Sequence, residues 1–114
     1  MNKYNARRVK VDNILFDSIR ESARYGELKI LQRAGEISNL ELQPAYKLGT
    51  DEAPVLIKSK GYPNGRRVTY RADFRYIDKA GNTIVEDSKG VDTPTSRLKR
   101  ALVESQYSII INLV

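Results

Sequence analysis

The stretch RRVTYRADFRYIDKAGNTIVEDSKG, residues 66–90, constrains the fold more than any other part of the chain. Residues 66–77 alternate along one extended strand. Tyr70, Ala72, Phe74 and Tyr76 share one face, and Arg71, Asp73 and Arg75 share the other. DKAGN at 78–82 supplies the turn, and TIVEDSKG at 83–90 reads as the returning strand of an antiparallel hairpin.

The remaining elements assemble around that hairpin. Residues 1–12 form a basic arm, followed by a short extended piece that turns at Asp12-Asn13. A helix is expected to start near Asp17 or Ser18, where Ser18-Ile19-Arg20-Glu21 fits a capping box, and to stop at Gly35. Ile19, Ala23, Leu28, Ile30, Leu31 and Ala34 fall in one apolar arc of this helix. Glu27 lies inside that arc and Glu21 toward its edge.

ISNLELQPAYKL at 37–48 reads as a strand bent or demoted at Pro44. Residues 49–65 read as a loop punctuated by Gly49, Pro54, Gly61, Pro63 and Gly65 around Val55-Leu56-Ile57. A second helix is expected from about Pro94 to Tyr107, with Leu98, Ala101 and Leu102 at helical spacing. SIIINLV then closes the chain as a buried strand. The order predicts one α/β domain over residues 1–114, with a mixed central sheet of about four strands and a helix on each face.

Composition narrows the chemistry. The chain has 114 residues, 40% hydrophobic and 30% charged, which suits one globular domain. No apolar run approaches the ~20 residues of a membrane span. The N-terminus carries no apolar signal core, so a cytoplasmic location is expected. Histidine and cysteine are both absent. That excludes disulfides, Cys/His zinc sites, cysteine nucleophiles and histidine acid–base catalysis. Any catalysis must use carboxylates, Lys, Tyr, Ser/Thr or a bound hard cation.

The formal charge is +6. Basic residues gather at Lys3, Arg7, Arg8 and Lys10, at Lys58, Lys60, Arg66, Arg67 and Arg71, and at Arg97, Lys99 and Arg100. Such clusters suit a polyanion, because each phosphate contact releases condensed counterions.

Asp73 and Asp87 sit on consecutive antiparallel strands and can meet across the ladder at about 5 Å. Asp87 and Lys89 are two apart, hence on one face and about 7 Å apart. Glu86 and Ser88 point to the opposite face, so Ser88→Ala is expected to be nearly silent. Two carboxylates and a lysine form a site of the Mg²⁺ kind, which leaves metal positions open for water and substrate phosphate.

Taken jointly, AD at 72–73, the hairpin, DSK at 87–89 and an acid-bearing helix upstream resemble the PD-(D/E)XK nuclease superfamily. More closely, FDSIRESARYGELKILQRAGEISNLELQP, YRADFRY, VEDSKG and LKRALVESQY resemble a group of small phage-encoded members without a defined function. The resemblance covers nearly the whole chain. It implies a restriction-endonuclease-like core and a DNA endonuclease dependent on Mg²⁺ or Mn²⁺, acting in the host cytoplasm. It also places Asp73 as first acid, Asp87 as second acid and Lys89 as the lysine of the motif. Ala72 stands where the name-giving proline would be. The helix acid is Glu21, which matches the S-x-x-E form of several members, or Glu27, which has the better buried-face case; Glu21 is favoured.

Arg66, Arg67, Arg71, Arg75 and Lys99 are candidates for DNA phosphates, although a charge row on a strand is usually a solvated face. The small size implies a structure-selective nuclease for branched, flap or junction DNA, with a homodimer presenting two sites. Two alternatives stand beside it. One is a non-catalytic DNA-binding or accessory module that keeps the fold. The other is an assembly partner in a phage complex, whose acids pair with Arg71 and Arg75.

Overall fold

The computed structural model describes residues 7–88 and 91–114. Lys89 and Gly90, and residues 1–6 of the basic arm with Lys3, lie outside the described residues. The architecture is α/β, with a mixed sheet and two helices. Among the described residues no helix is long and apolar enough to cross a membrane.

The chain opens with a small antiparallel hairpin, β1 (Val9–Val11) and β2 (Ile14–Phe16). Its turn residues Asp12 and Asn13 both have positive φ, 52° and 63°, the conformation a two-residue hairpin turn requires. Helix α1 (Ile19–Arg33) follows. Ser18 caps it by accepting from the Glu21 backbone N–H at 3.1 Å. Its end is set by Gly35 at φ 80°, where the Glu36 N–H closes on the Leu31 carbonyl at 2.9 Å.

The buried stripe of α1 differs from the apolar arc expected of it. Glu21, Ser22, Tyr25 and Leu28 are buried, whereas Ile19 and Ile30 are exposed. Glu27 has a side chain 65% exposed and pairs with Arg24 at 3.7 Å. Two aromatic neighbours decide this rotation. Tyr25 packs against Phe16 at 5.0 Å and donates to Asp12 at 2.9 Å, which fixes the 21–25–28 face toward the core.

The central sheet has four strands in the order β10 (Ile111–Leu113), β9 (Thr83–Asp87), β8 (Phe74–Asp78), β3 (Ile37–Leu42). The β3–β8 and β8–β9 pairs are antiparallel, and β9–β10 is parallel. Successive residues of β9 face opposite layers. Val85 joins the cluster of Tyr46, Leu48, Val68, Tyr70, Ala72, Val103 and Ile111 beneath helix α2 (Pro94–Tyr107). Ile84 packs on the cluster of Phe16, Tyr25, Leu28, Ile37, Phe74 and Tyr76 beneath α1. The two helices therefore cover opposite faces.

The stretch expected as one strand over 66–77 is three. β6 (Tyr62–Arg67), β7 (Thr69–Arg71) and β8 each pair with a different neighbour. β6 pairs with β5 (Leu56–Ser59) and β7 with β4 (Ala45–Lys47). The chain changes partner at Val68 and again at Ala72-Asp73. The second break carries the chain from one layer to the other, since Tyr70 and Ala72 lie beneath α2 and Phe74 and Tyr76 beneath α1. The loop expected over 49–65 thus contains the β5–β6 hairpin.

Two further expectations are corrected. On α2 the buried residue is Val103, while Leu98 and Leu102 are exposed. The last strand lies at the sheet edge and pairs with β9 alone, so only Ile111 is buried and Ile110 is 75% exposed.

Candidate metal centre

The β8–β9 register pairs Phe74 with Glu86, which places Asp73 and Asp87 as neighbours at the open end of the ladder. Backbone bonds lock that end. The Asp73 N–H donates to the Glu86 carbonyl at 3.1 Å, and the Gln43 N–H donates to the Asp73 carbonyl at 2.9 Å. Gln43 has a positive φ of 52°, which turns the chain before Pro44 and aims that N–H inward. From the edge strand the Val114 N–H donates to the Asp87 carbonyl at 3.1 Å. The first turn of α1 reaches the same end, where Arg20 donates to the Val114 carbonyl at 3.3 Å.

Three of the acids expected at the site are brought together here. Asp87 is buried and accepts from the Tyr70 hydroxyl. Asp73 accepts from the Ser88 N–H at 2.6 Å through Oδ2, and its carboxyl is hydrogen-bonded to Asp87. Burial first, then the Asp87 and Glu21 charges, together push the Asp73 pKa up to about 8, against the Ser88 bond. Glu21, also buried, is pushed to about 6 by burial first and then by Asp17 and Asp87.

The favoured helix acid therefore faces the pair, and Glu27 lies at the surface. Ser18 still caps the Glu21 backbone, so one residue serves both the cap and the acidic cluster. Lys89, expected as the fourth member, lies outside the described residues.

Glu86 faces the other layer. It is only 2% exposed and receives both arms of Arg24, Nε to Oε1 at 2.8 Å and Nη2 to Oε2 at 2.6 Å, with the Tyr76 hydroxyl also donating. This paired, fully hydrogen-bonded arrangement is the usual way a buried charge is accommodated.

The all-oxygen set of Glu21, Asp73 and Asp87 suits Mg²⁺ or Mn²⁺ in kind. Asp73 and Asp87 are hydrogen-bonded to each other, and among the described residues no three acids stand in ligating positions.

A basic groove of about 570 Å³ lies between β4, the β5–β6 hairpin, β7 and α2. Four expected phosphate contacts line it: Arg66, Arg67, Arg71 and Lys99. Arg67 is tied to the loop wall, donating to the Leu48 carbonyl at 2.7 Å and the Gly49 carbonyl at 2.9 Å. Arg75 is elsewhere. It is bound to Glu41 and to the Tyr46 hydroxyl, and its guanidinium lies 5.6 Å from the Tyr46 ring centre. In register it lies opposite Val85, on the side of the ladder shared by Asp73 and Asp87 as the alternation expects, but Glu41 and Tyr46 hold it away from the groove.

The sequence reading missed four contributors. Tyr70, expected only on the strand face shared with Ala72, Phe74 and Tyr76, also holds Asp87. Arg100 is half-buried, donates to Asp92 at 2.9 and 3.0 Å and lies near enough to sense Tyr70 and Asp87. Lys47 and Tyr62 join the groove from β4 and β6. No local pattern marks these residues; only the strand pairing brings them in.

No curated protein and no solved structure gives a significant match to this chain. A family model described as a protein of unknown function (DUF1064) matches residues 1–113, and the chain belongs to that family.

Proposed function

We propose that this chain is a Mg²⁺- or Mn²⁺-dependent DNA endonuclease built on a restriction-endonuclease-like core of PD-(D/E)XK type. The observation that carries the reading is the meeting of half-buried Asp73 with buried Asp87 and Glu21 at the end of the β8–β9 ladder, in a domain that also carries a groove lined by cations. Like charges are costly to bury together, and a bound divalent ion is the usual reason for keeping them so. The ion lowers the pKa of water and neutralises charge developing at phosphorus.

The chain's own residues have separate tasks in this reading. Asp73, Asp87 and Glu21 hold the ion. The Ser88 N–H and the Tyr70 hydroxyl fix the carboxylate orientations from outside. Lys89, by the resemblance, orients the attacking water. The water oxygen bonds to phosphorus as the bond to the 3′ oxygen breaks. Arg66, Arg71 and Lys99 take flanking phosphates. Branched, flap or junction DNA is the proposed substrate class, and a homodimer would present two such sites.

The test is cleavage of duplex, single strand, flap and four-way junction, with and without Mn²⁺. Mn²⁺-dependent cleavage is expected, lost in Asp87→Asn and in Lys89→Ala while DNA binding persists. Unchanged cleavage in either variant rejects the mechanism.

A second reading, a DNA-binding accessory module without turnover, is favoured by one observation. Asp73 and Asp87 are bonded to each other, and no three described acids stand in ligating positions. Calorimetry separates the two readings: absence of Mn²⁺ binding with DNA affinity intact supports the module.

A further inference from the structure

The β5–β6 hairpin stands apart from the acid cluster yet forms one wall of the basic groove. All four residues of β5 are exposed, and Val55, Leu56 and Ile57 form an apolar ridge on the surface. On β6, Tyr62 is 52% exposed, and the Arg66 guanidinium lies 5.4 Å from its ring centre. A cation over one side of the ring holds it in place and leaves the rest open. Below it run Lys47, Arg66, Arg71 and Lys99, with Ser59 and Thr69 as neutral hydrogen-bonding groups. Among the described residues no carboxylate lines this groove.

The groove comes close to the acids along the chain at Arg71 and Lys99. Arg71 is two residues from Asp73, a span of at most about 7 Å along the chain. Tyr70, next to Arg71, holds Asp87. Lys99 is next to Arg100, which senses Asp87.

These features select among nucleic-acid forms. A row of cations recognises any phosphate backbone. An exposed aromatic face adds binding only when a base is free to leave its stack and lie on it. The volume of about 570 Å³ is that of a small-ligand site, with room for unstacked bases.

We propose that the hairpin and groove hold a single-stranded stretch of a DNA substrate, with a base stacked on Tyr62 and its phosphates on Lys47, Arg66, Arg71 and Lys99. The proposal rests on the nuclease reading for its choice of DNA, and it deepens that reading: the substrate carries an unpaired arm running toward Asp73 and Asp87.

The test is binding without cleavage, with the full chain in EDTA and fluorescein-labelled single strand and duplex of equal length. Tyr62→Ala should weaken single-strand affinity about 10-fold, the worth of one stacked base, and duplex affinity less than about 2-fold. Tyr62→Trp should restore single-strand binding. Arg71→Ala and Lys99→Ala should weaken both and lower the salt slope by about 1 each.

Wild-type single-strand affinity in Tyr62→Ala overturns the proposal, as do equal losses on both substrates. An RNA strand bound as tightly as DNA overturns the choice of DNA. Because no metal is present, these outcomes are independent of the Mn²⁺ cleavage assay that decides the nuclease reading.

Discussion

Replacing Asp73 by Asn should stabilise the fold at alkaline pH, although Asp73 is central to the candidate site. In the native state burial and the Asp87 and Glu21 charges push Asp73 up to about 8, from the ordinary carboxyl value of 3.8. The folded chain therefore binds more protons than the unfolded chain across that interval. Stability must fall as pH rises between roughly 4 and 8. Below that window both states are protonated, and Asp73 contributes nothing.

The magnitude follows from the geometry. Two charges at the cross-strand separation of about 5 Å repel by about 3 kcal/mol at an effective dielectric of about 20. The Ser88 N–H favours the ionised form and returns about 1.5 kcal/mol. Asn keeps an oxygen for that N–H and carries no charge, so Asp73→Asn should gain about 1–2 kcal/mol at pH 8 and nothing measurable at pH 4. Guanidinium melts followed by circular dichroism in EDTA at pH 4, 6 and 8 read this directly. A loss of stability at pH 8, or a gain independent of pH, would refute the reasoning. In the same assay Mn²⁺ at about 100 times its Kd should stabilise wild type by about 2.7 kcal/mol and leave Asp73→Asn unchanged.

Two further outcomes follow from burial. Arg24→Ala leaves Glu86 charged and buried with only Tyr76 for a partner, and should cost about 3 kcal/mol in urea melts; Glu27→Ala, which breaks a surface pair, should cost less than about 0.5 kcal/mol. Ser88→Ala removes a buried hydroxyl that has no hydrogen-bond partner among the described residues and keeps the N–H that Asp73 needs. It should be neutral or up to about 1 kcal/mol stabilising, and a loss above 1 kcal/mol would show that the hydroxyl has a role.

Features fixed by neighbouring residues were legible in the sequence. The Asp12-Asn13 turn, the Ser18 cap, the Gly35 stop and the bounds of α2 depend on residues a few positions apart, and each appears where expected. Layer assignment was not legible. Tyr70, Ala72, Phe74 and Tyr76 keep a strict period of two and are all buried, yet they enter two different clusters. Periodicity reports whether a side chain is buried, not which helix covers it.

Hydrophobicity misled on both helices for a related reason. The inward face of α1 includes Glu21 and Ser22, polar residues that a hydrophobic arc assigns outward. The site itself was partly readable. Asp73 and Asp87 follow from one hairpin, whereas Tyr70, Arg100, Lys47 and Tyr62 enter through pairings between distant segments.

The pairing of β4 with β7 has an architectural consequence. Lys47 lies opposite Thr69, and the Leu48 N–H bonds the Val68 carbonyl at 2.9 Å, so residues 49–67 leave and rejoin the domain through adjacent points. A segment anchored in this way behaves as an interchangeable head. Doubling its length would cost only about 0.6 kcal/mol in closure entropy, and its exposed tip can be rebuilt without moving Tyr70 or Asp73. Variation among relatives, or a designer grafting a new hairpin, can change what the chain grips while the acidic end of the sheet remains as it is.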